Sequence, residues 1–403
     1  RVVYAVEATD MARHARTLVE ANGLGGTVTV IQGKMEEVAL PEKVDTIVSE
    51  WMGLLLLRDG MLNSVLAARD RWLAPGGSLF PSHCQLYLAP THFSPACAPP
   101  AGKAVSHSKV VEEWSRMVED VKASWGVDYS CLTSALAAEK DSYHLQAAIE
   151  DILGGGREGD PEGSEFDCEF EEFEEEEEGD DQDLLAAMAQ AERGGATGTF
   201  DGIAGGLGRP LASSRWTAMR RGDLLGIAAL VKDIDCNSVS ATELEAFDCD
   251  FQLEVMSQEG RVPGQELGFG GPGQGDISLG SGCARLNSLT CWFDVQFNGS
   301  PGRPAREPVV LSTGPAAPPT HWGQQTFMLP AKWEGEPAPL SALPEGAAGV
   351  ESCAMEGRLR ISRLAATHRM YAAQLSFTQT TSFAPSGCCP PVTCDHNIEY
   401  SIE

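Results

Sequence analysis

Residues 1–80 alternate between short apolar runs and stretches with helical spacing. Val2 to Glu7 (VVYAVE) predicts a strand, and Met11 to Ala21 a helix with apolar residues on one face. Val28 to Gln32 and Val44 to Ser49 predict two further strands. Met61 to Leu73 predicts a second helix, closed by the stop signal Pro75-Gly76-Gly77. Strands alternating with helices imply a parallel sheet flanked by helices. After Phe80-Pro81 the pattern changes. Cys84 to Ala89, Thr290 to Phe297 and Leu375 to Thr380 read as strands separated by Pro/Gly-rich links, as in a β-rich second domain.

Between Thr133 and Arg215 neither period holds. Residues 160–183 carry fifteen Asp or Glu and no Lys or Arg, so this run supplies −15 of the formal net charge of −29. Such a segment buries too little apolar surface to offset its ordering entropy, and it predicts disorder. Phe166, Phe170 and Phe173 interleave with the acids. That leaves two readings open, a solvated insert or an acidic-aromatic docking segment for a basic partner. Pro263 to Gly282 is Gly-rich and predicts a long surface loop. The predicted organisation is residues 1–80, 81–132, an acidic insert at 133–229, and 230–403.

The acidic balance disfavours nucleic acid as a partner and favours cationic proteins. The 12 cysteines are scattered without CxxC pairs. They read as reduced thiols, with no metal site expected even at Cys388-Cys389 and Cys394. No apolar run reaches the roughly 18 residues that a membrane helix needs. The chain opens at Arg1 on residues that already read as a buried strand, so it is expected to be a piece of a longer protein.

Three places carry candidate chemistry. Glu7 closes the first strand, where an acid commonly takes a ribose hydroxyl pair, although taken alone an acid facing solvent is the favoured reading. Gly33-Lys34-Met35-Glu36 follows the second strand; there an acid and a thioether could hold an adenine ring. The most specific feature is Ser49-Glu50-Trp51-Met52-Gly53, after the third strand, then Asp59-Gly60-Met61 before a helix. Two acids joined by an apolar hairpin can converge on one cation. A guanidinium suits them best, because its planar fork donates paired hydrogen bonds. The plainer alternative is a helix-capping Asp59 and an ion-paired Glu50.

The segment SEWMG, with the following acid and MLNSVL, resembles the double-glutamate loop of protein arginine N-methyltransferases. ARDRWLAPGG and FPS continue the likeness. WGVDYSCL (Trp125 to Leu132) resembles the start of that family's dimerisation arm, WFDVQF (Trp292 to Phe297) its barrel strand, and Thr320-His321-Trp322-Gly323-Gln324 its threonine-histidine-tryptophan loop. The nearest subgroup is the sixth-numbered, nuclear one.

The resemblance implies a partial Rossmann-like α/β methyltransferase domain followed by a β-barrel-like substrate domain, with the disordered acidic insert inside it. It implies S-adenosylmethionine as cofactor, held by Glu7 at the ribose and by Met35 and Glu36 at the adenine. Glu50 and Asp59 would grip the substrate arginine, His321 would relay the proton, and Trp51, Met61 and Trp322 would shape the substrate site. Met61 would favour asymmetric dimethylation. The implied substrates are basic proteins such as histones or Gly-Arg-rich chains. A homodimer and a place in nucleus, cytoplasm or both are expected.

The family's cofactor-cradling glycine loop is expected ahead of Val2. Asp59 stands where the family has glutamate, one methylene longer. A second reading is therefore a degenerate relative that binds Arg-rich partners without turnover. A third, a small-molecule methyltransferase, leaves the THW segment unexplained.

Overall fold

The computed structural model describes residues 1–94, 97, 107–135, 138, 214–255, 286–329, 349–364, 370–384 and 389–402. The chain forms two compact units, Arg1–Pro41 with Pro100–Asp180, and Glu42–Pro99 with Asp181–Glu403.

In the first unit, β1 (Val3–Glu7) and β2 (Val28–Gln32) pair in parallel, from Val3 opposite Val28 to Glu7 opposite Gln32. Helix α1 (Met11–Ala21) connects them and buries Ala12 and His14. After α1, Asn22 donates to the Asp128 carbonyl (2.9 Å) and accepts from the Asp128 N–H (2.7 Å). That exchange ties the helix end to the segment after α3 (His107–Trp125).

In the second unit, β3 (Val44–Val48) runs parallel to β4 (Leu73–Phe80), and α2 (Leu62–Trp72) lies between them in sequence. Helix α2 ends at Trp72, just ahead of Pro75-Gly76-Gly77 as that stop signal predicts, and the three residues then lie within β4. The pairing jumps from Val44–Leu73 to Thr46–Ser78, and the extra residues bulge out of β4 with Gly76 at φ 72°. Residues 42–80 also group with the β-rich part rather than with residues 1–41. The reason is burial: Leu62, Val65 and Leu66 of α2 share one core with Leu86, Phe293 and Leu359 of the later strands.

Those strands form two antiparallel sheets. One orders β6 (Ser214–Thr217), β13 (Gln324–Met328), β9 (Ser288–Gln296), β5 (His83–Thr91) and β7 (Ala229–Asp235), with β12 (Val310–Ser312) also on β9. The other orders β16 (Val392–Ile402), β15 (Tyr371–Ala384), β14 (Gly349–Arg363) and β8 (Ala246–Val255). A two-residue pair, β10 (Gly299–Ser300) with β11 (Arg303–Pro304), stands apart.

Burial alternates strictly in β8, whereas β9 and β13 are buried along nearly their whole length. In β8, Phe247, Cys249, Phe251 and Leu253 are buried while the residues between them are exposed, so this strand buries one face. Among the described residues no ladder joins the two sheets, so the expected barrel-like domain consists of two sheets over one core and is not a closed barrel. The chain passes from β7 to β8 through the short helix α4 (Ala241–Glu245), capped by Ser240 and Glu243.

The ordered part also begins earlier than residue 230. β6 pairs with β13, and Met219, Leu224 and Leu225 are buried. The acidic run at 160–183 and the Gly-rich run at 263–282 lie outside the described residues, as do Cys168, Cys283 and Cys388. Nine described cysteines are free thiols, and no described His/Cys/Asp/Glu group could hold a metal. Cys84 and Cys236 approach to 3.8 Å; their mutual hydrogen bond and burial hold the Cys84 thiol far above its ordinary range. No described helix is long and apolar enough to cross a membrane.

Candidate active site

The first unit gathers its chemistry at the carboxyl edge of the parallel pair, where ligands of such sheets sit. The Gly33 N–H donates to the Glu7 carbonyl (2.9 Å), which keeps the ends of β1 and β2 side by side. One carboxylate oxygen of Glu7, Oε1, accepts from the Thr9 N–H (2.8 Å) and the Thr9 hydroxyl (2.7 Å). Thr9 thus orients Glu7, while Oε2 has no hydrogen-bond partner among the described residues. Gly33 sits at φ 150°, and a Cβ there would lie 2.9 Å from Val38 Cγ1. The Lys34 carbonyl accepts from Glu37 (2.9 Å) and Val38 (3.0 Å). This turn sets half-buried Met35 and exposed Glu36 at the same edge.

In the second unit the segment from Ser49 to Gly60 folds into a tight hairpin. Gly53 and Leu56 exchange two backbone hydrogen bonds, of 3.1 and 3.0 Å. Leu55, Leu56 and Asp59 all adopt left-handed backbone, at φ 49°, 71° and 81°. Such conformations cost non-glycine residues about 1 kcal/mol each. Burial offsets that cost, since Leu55, Leu56 and Leu57 sink into the core. The four-leucine stretch is therefore the anchor that holds a strained loop shut.

Both acids turn back toward neighbouring residues of the hairpin, Met52 and Gly53. Glu50 is exposed, and its Oε1 accepts from the Met52 N–H (3.2 Å). Asp59 is half-buried, and its Oδ2 lies 2.5 Å from where a Gly53 Cβ would stand. Only glycine leaves room for the Asp59 carboxylate there. The hairpin thus brings the two acids to Met52–Gly53, one from each arm.

A second loop clamps the first. The Trp322 indole donates to the Met52 carbonyl (2.6 Å), and its ring packs edge-on to Phe293 (5.8 Å). His321 is exposed and lies against the Trp322 ring (3.9 Å); among the described residues no ion pair involves it. Thr320 Oγ1 is buried without a hydrogen-bond partner among the described residues. Met61 is 47% exposed at the entry to α2, two residues beyond Asp59.

Trp51, expected to shape the substrate site, turns inward. Its ring is 3% exposed inside the core, so it anchors the loop, and its buried indole N–H has no acceptor among the described residues. Trp216 was not foreseeable as part of this assembly. Its indole donates to the Trp322 carbonyl (2.7 Å). Nothing in the local pattern marks it, because the link spans over a hundred residues.

Glu7, Met35 and Glu36 thus share one strand edge, and Glu50, Asp59, His321 and Trp322 share one hairpin-and-clamp. The fold fits a methyltransferase domain with an antiparallel β-rich C-terminal domain. The description "Arginine methyltransferase oligomerization subdomain" matches residues 212–338. The chain belongs to the protein arginine N-methyltransferase family. The rice protein named protein arginine N-methyltransferase PRMT10 (japonica subspecies) is 33% identical over 330 residues, 82% of this chain and 62% of that protein. The chain therefore spans less than two thirds of that relative's length.

An Arabidopsis protein named "Probable protein arginine N-methyltransferase 6" is 26% identical over 355 residues, 81% of this chain and 56% of that protein. The sixth-numbered subgroup is thus among the relatives, beside the tenth. The crystal structure of Arabidopsis protein arginine methyltransferase 10, described as uniquely open, superposes with a TM-score of 0.56 at 27% identity. It covers 100% of this chain and 83% of its own.

Proposed function

We propose that the protein transfers a methyl group from S-adenosylmethionine to a guanidinium nitrogen of protein-bound arginine. The observation that carries this reading is the strained hairpin that turns Glu50 toward Met52 and Asp59 toward Gly53, clamped by Trp322 at the Met52 carbonyl. S-adenosylmethionine, when bound, supplies a methyl group on a positively charged sulfur. The Glu7 oxygen left unclaimed by Thr9 fits a pair of ribose hydroxyls, and Met35 and Glu36 fit an adenine. Glu50 and Asp59 hold the arginine head group. A guanidinium stays protonated at any relevant pH, so its nitrogens are poor nucleophiles. Two carboxylates draw its positive charge toward two nitrogens and leave the third richer in electrons. His321 or a carboxylate takes the released proton.

The net charge of −29 suits cationic substrates such as histone tails or Gly-Arg-rich chains. Met61, exposed beside the hairpin, narrows the space around a monomethylated arginine and favours an asymmetric product. A homodimer is proposed from the matched oligomerization subdomain, and a place in nucleus, cytoplasm or both from the subgroup likeness. The test is transfer of labelled methyl to arginine in a Gly-Arg-rich peptide by the protein. Label on arginine is expected. Peptide binding without label would replace this reading with a binding protein that has lost turnover.

That second reading draws on Asp59, one methylene shorter than glutamate. The structure supplies a local reason for aspartate: the residue sits at φ 81°, which aspartate tolerates better than glutamate. Asp59→Glu is therefore expected to divide activity from stability. The longer acid raises kcat roughly tenfold by reaching further toward the guanidinium, and the left-handed backbone costs about 1 kcal/mol. Steady-state kinetics beside thermal unfolding reads both. A fall in kcat would show that the hairpin is already matched to the shorter acid.

A further inference from the structure

We infer that Trp216 is a positioning residue for the acid hairpin, acting through Trp322; the inference rests on the arginine-methylating reading of that hairpin. Two indole donors stand in series. Trp216 donates to the Trp322 carbonyl (2.7 Å), Trp322 donates to the Met52 carbonyl (2.6 Å), and the Met52 N–H reaches Glu50 (3.2 Å). Each bond fixes the group that makes the next.

The start of the relay is rigid. Trp216 is opposite Gln325 in the β6–β13 ladder, and next to it the Thr217 hydroxyl is buried against Thr326 (2.8 Å). Gly323 follows Trp322 at φ 51°, and a Cβ there would overlap the Trp216 indole nitrogen. Glycine is thus needed for the two tryptophans to approach. Because His321 rests on the Trp322 ring, the same donor also sets the histidine. The arrangement gives Trp216 no contact with substrate, only control of where Glu50 and His321 stand.

The test compares the full chain with Trp216→Phe, which keeps a ring and loses the N–H. Two readouts are taken: the Trp322 indole N–H resonance, assigned through Trp322→Phe, and the separation of kcat from KM. The variant is expected to shift that resonance, speed its hydrogen exchange about tenfold, and lower kcat roughly tenfold. KM for S-adenosylmethionine stays within about twofold, because no residue assigned to the cofactor belongs to the relay. Gly323→Ala, which crowds the same contact, is expected to shift the same resonance and serves if Trp216→Phe does not fold.

An unmoved Trp322 resonance overturns the inference, and so does a moved resonance with unchanged kcat. If the unaltered protein binds an arginine peptide but transfers no methyl, the proposed function fails by itself. The peptide Kd then takes the place of kcat: weaker binding in Trp216→Phe supports the positioning role, and equal binding overturns it.

Discussion

Glu50→Gln lowers kcat for arginine methylation roughly 100- to 1000-fold while leaving the fold intact. Glutamine keeps an oxygen that can accept from the Met52 N–H, the bond Glu50 makes at 3.2 Å. The hairpin therefore has no reason to open. Glu50 is exposed, and a surface exchange of this kind moves stability by about 0.5 kcal/mol at most. What disappears is the charge. A carboxylate opposite a guanidinium makes a charge-assisted pair about twice as strong as a neutral one, and the amide offers a donor where an acceptor is needed. Loss of a single preorganised electrostatic group in an active site costs about that range in rate. Single-turnover methyl transfer beside thermal unfolding checks both halves. Wild-type kcat with an intact fold would show that Glu50 does not hold the arginine, and the two-acid reading would fall with it.

The residues that matter here differed in how legible they were, and the difference is one of range. Helix α1 and strand β2 lie where periodicity puts them, because a 3.6-residue or a 2-residue repeat is a local property. The acid hairpin was legible for the same reason: its acids, its glycine and its leucines all fall between Glu50 and Gly60. What is not local was misplaced. β4 runs through Pro75-Gly76-Gly77, because pairing with β3 resumes beyond the bulge. β6 is four residues long, too short for a pattern, and exists only because β13 pairs with it. Trp51 was expected to shape the substrate site, yet the core contributed by distant strands covers it. Helix α3 did carry a usable signal in the spacing of Val111, Trp114, Val118 and Val121. The open edges of the two sheets depend on which strands find each other, and composition says nothing of that.

Gly53→Ala tests the same hairpin from the backbone side, and it is expected to damage both activity and stability. A Cβ at this position would overlap the Arg58 carbonyl and come within 2.5 Å of Asp59 Oδ2. The carbonyl is main chain and cannot rotate away, so one arm of the hairpin has to move. Overpacking of this sort costs about 2 kcal/mol, and the leucines that hold the strained turn cannot follow without leaving the core. Displacing Asp59 by about 1 Å from its partner acid is enough for a loss of roughly 100-fold in kcat. Gly25→Ala is the matched control, since nothing lies within 4 Å of its Cβ position and its backbone is not left-handed. Peptide affinity separates the causes. If Gly53→Ala unfolds early yet binds arginine peptide as tightly as the parent chain, the acids do not act together. Joint loss of binding and turnover, with the Gly25 control unchanged, ties the guanidinium to the pair of carboxylates and to the single glycine that lets them meet.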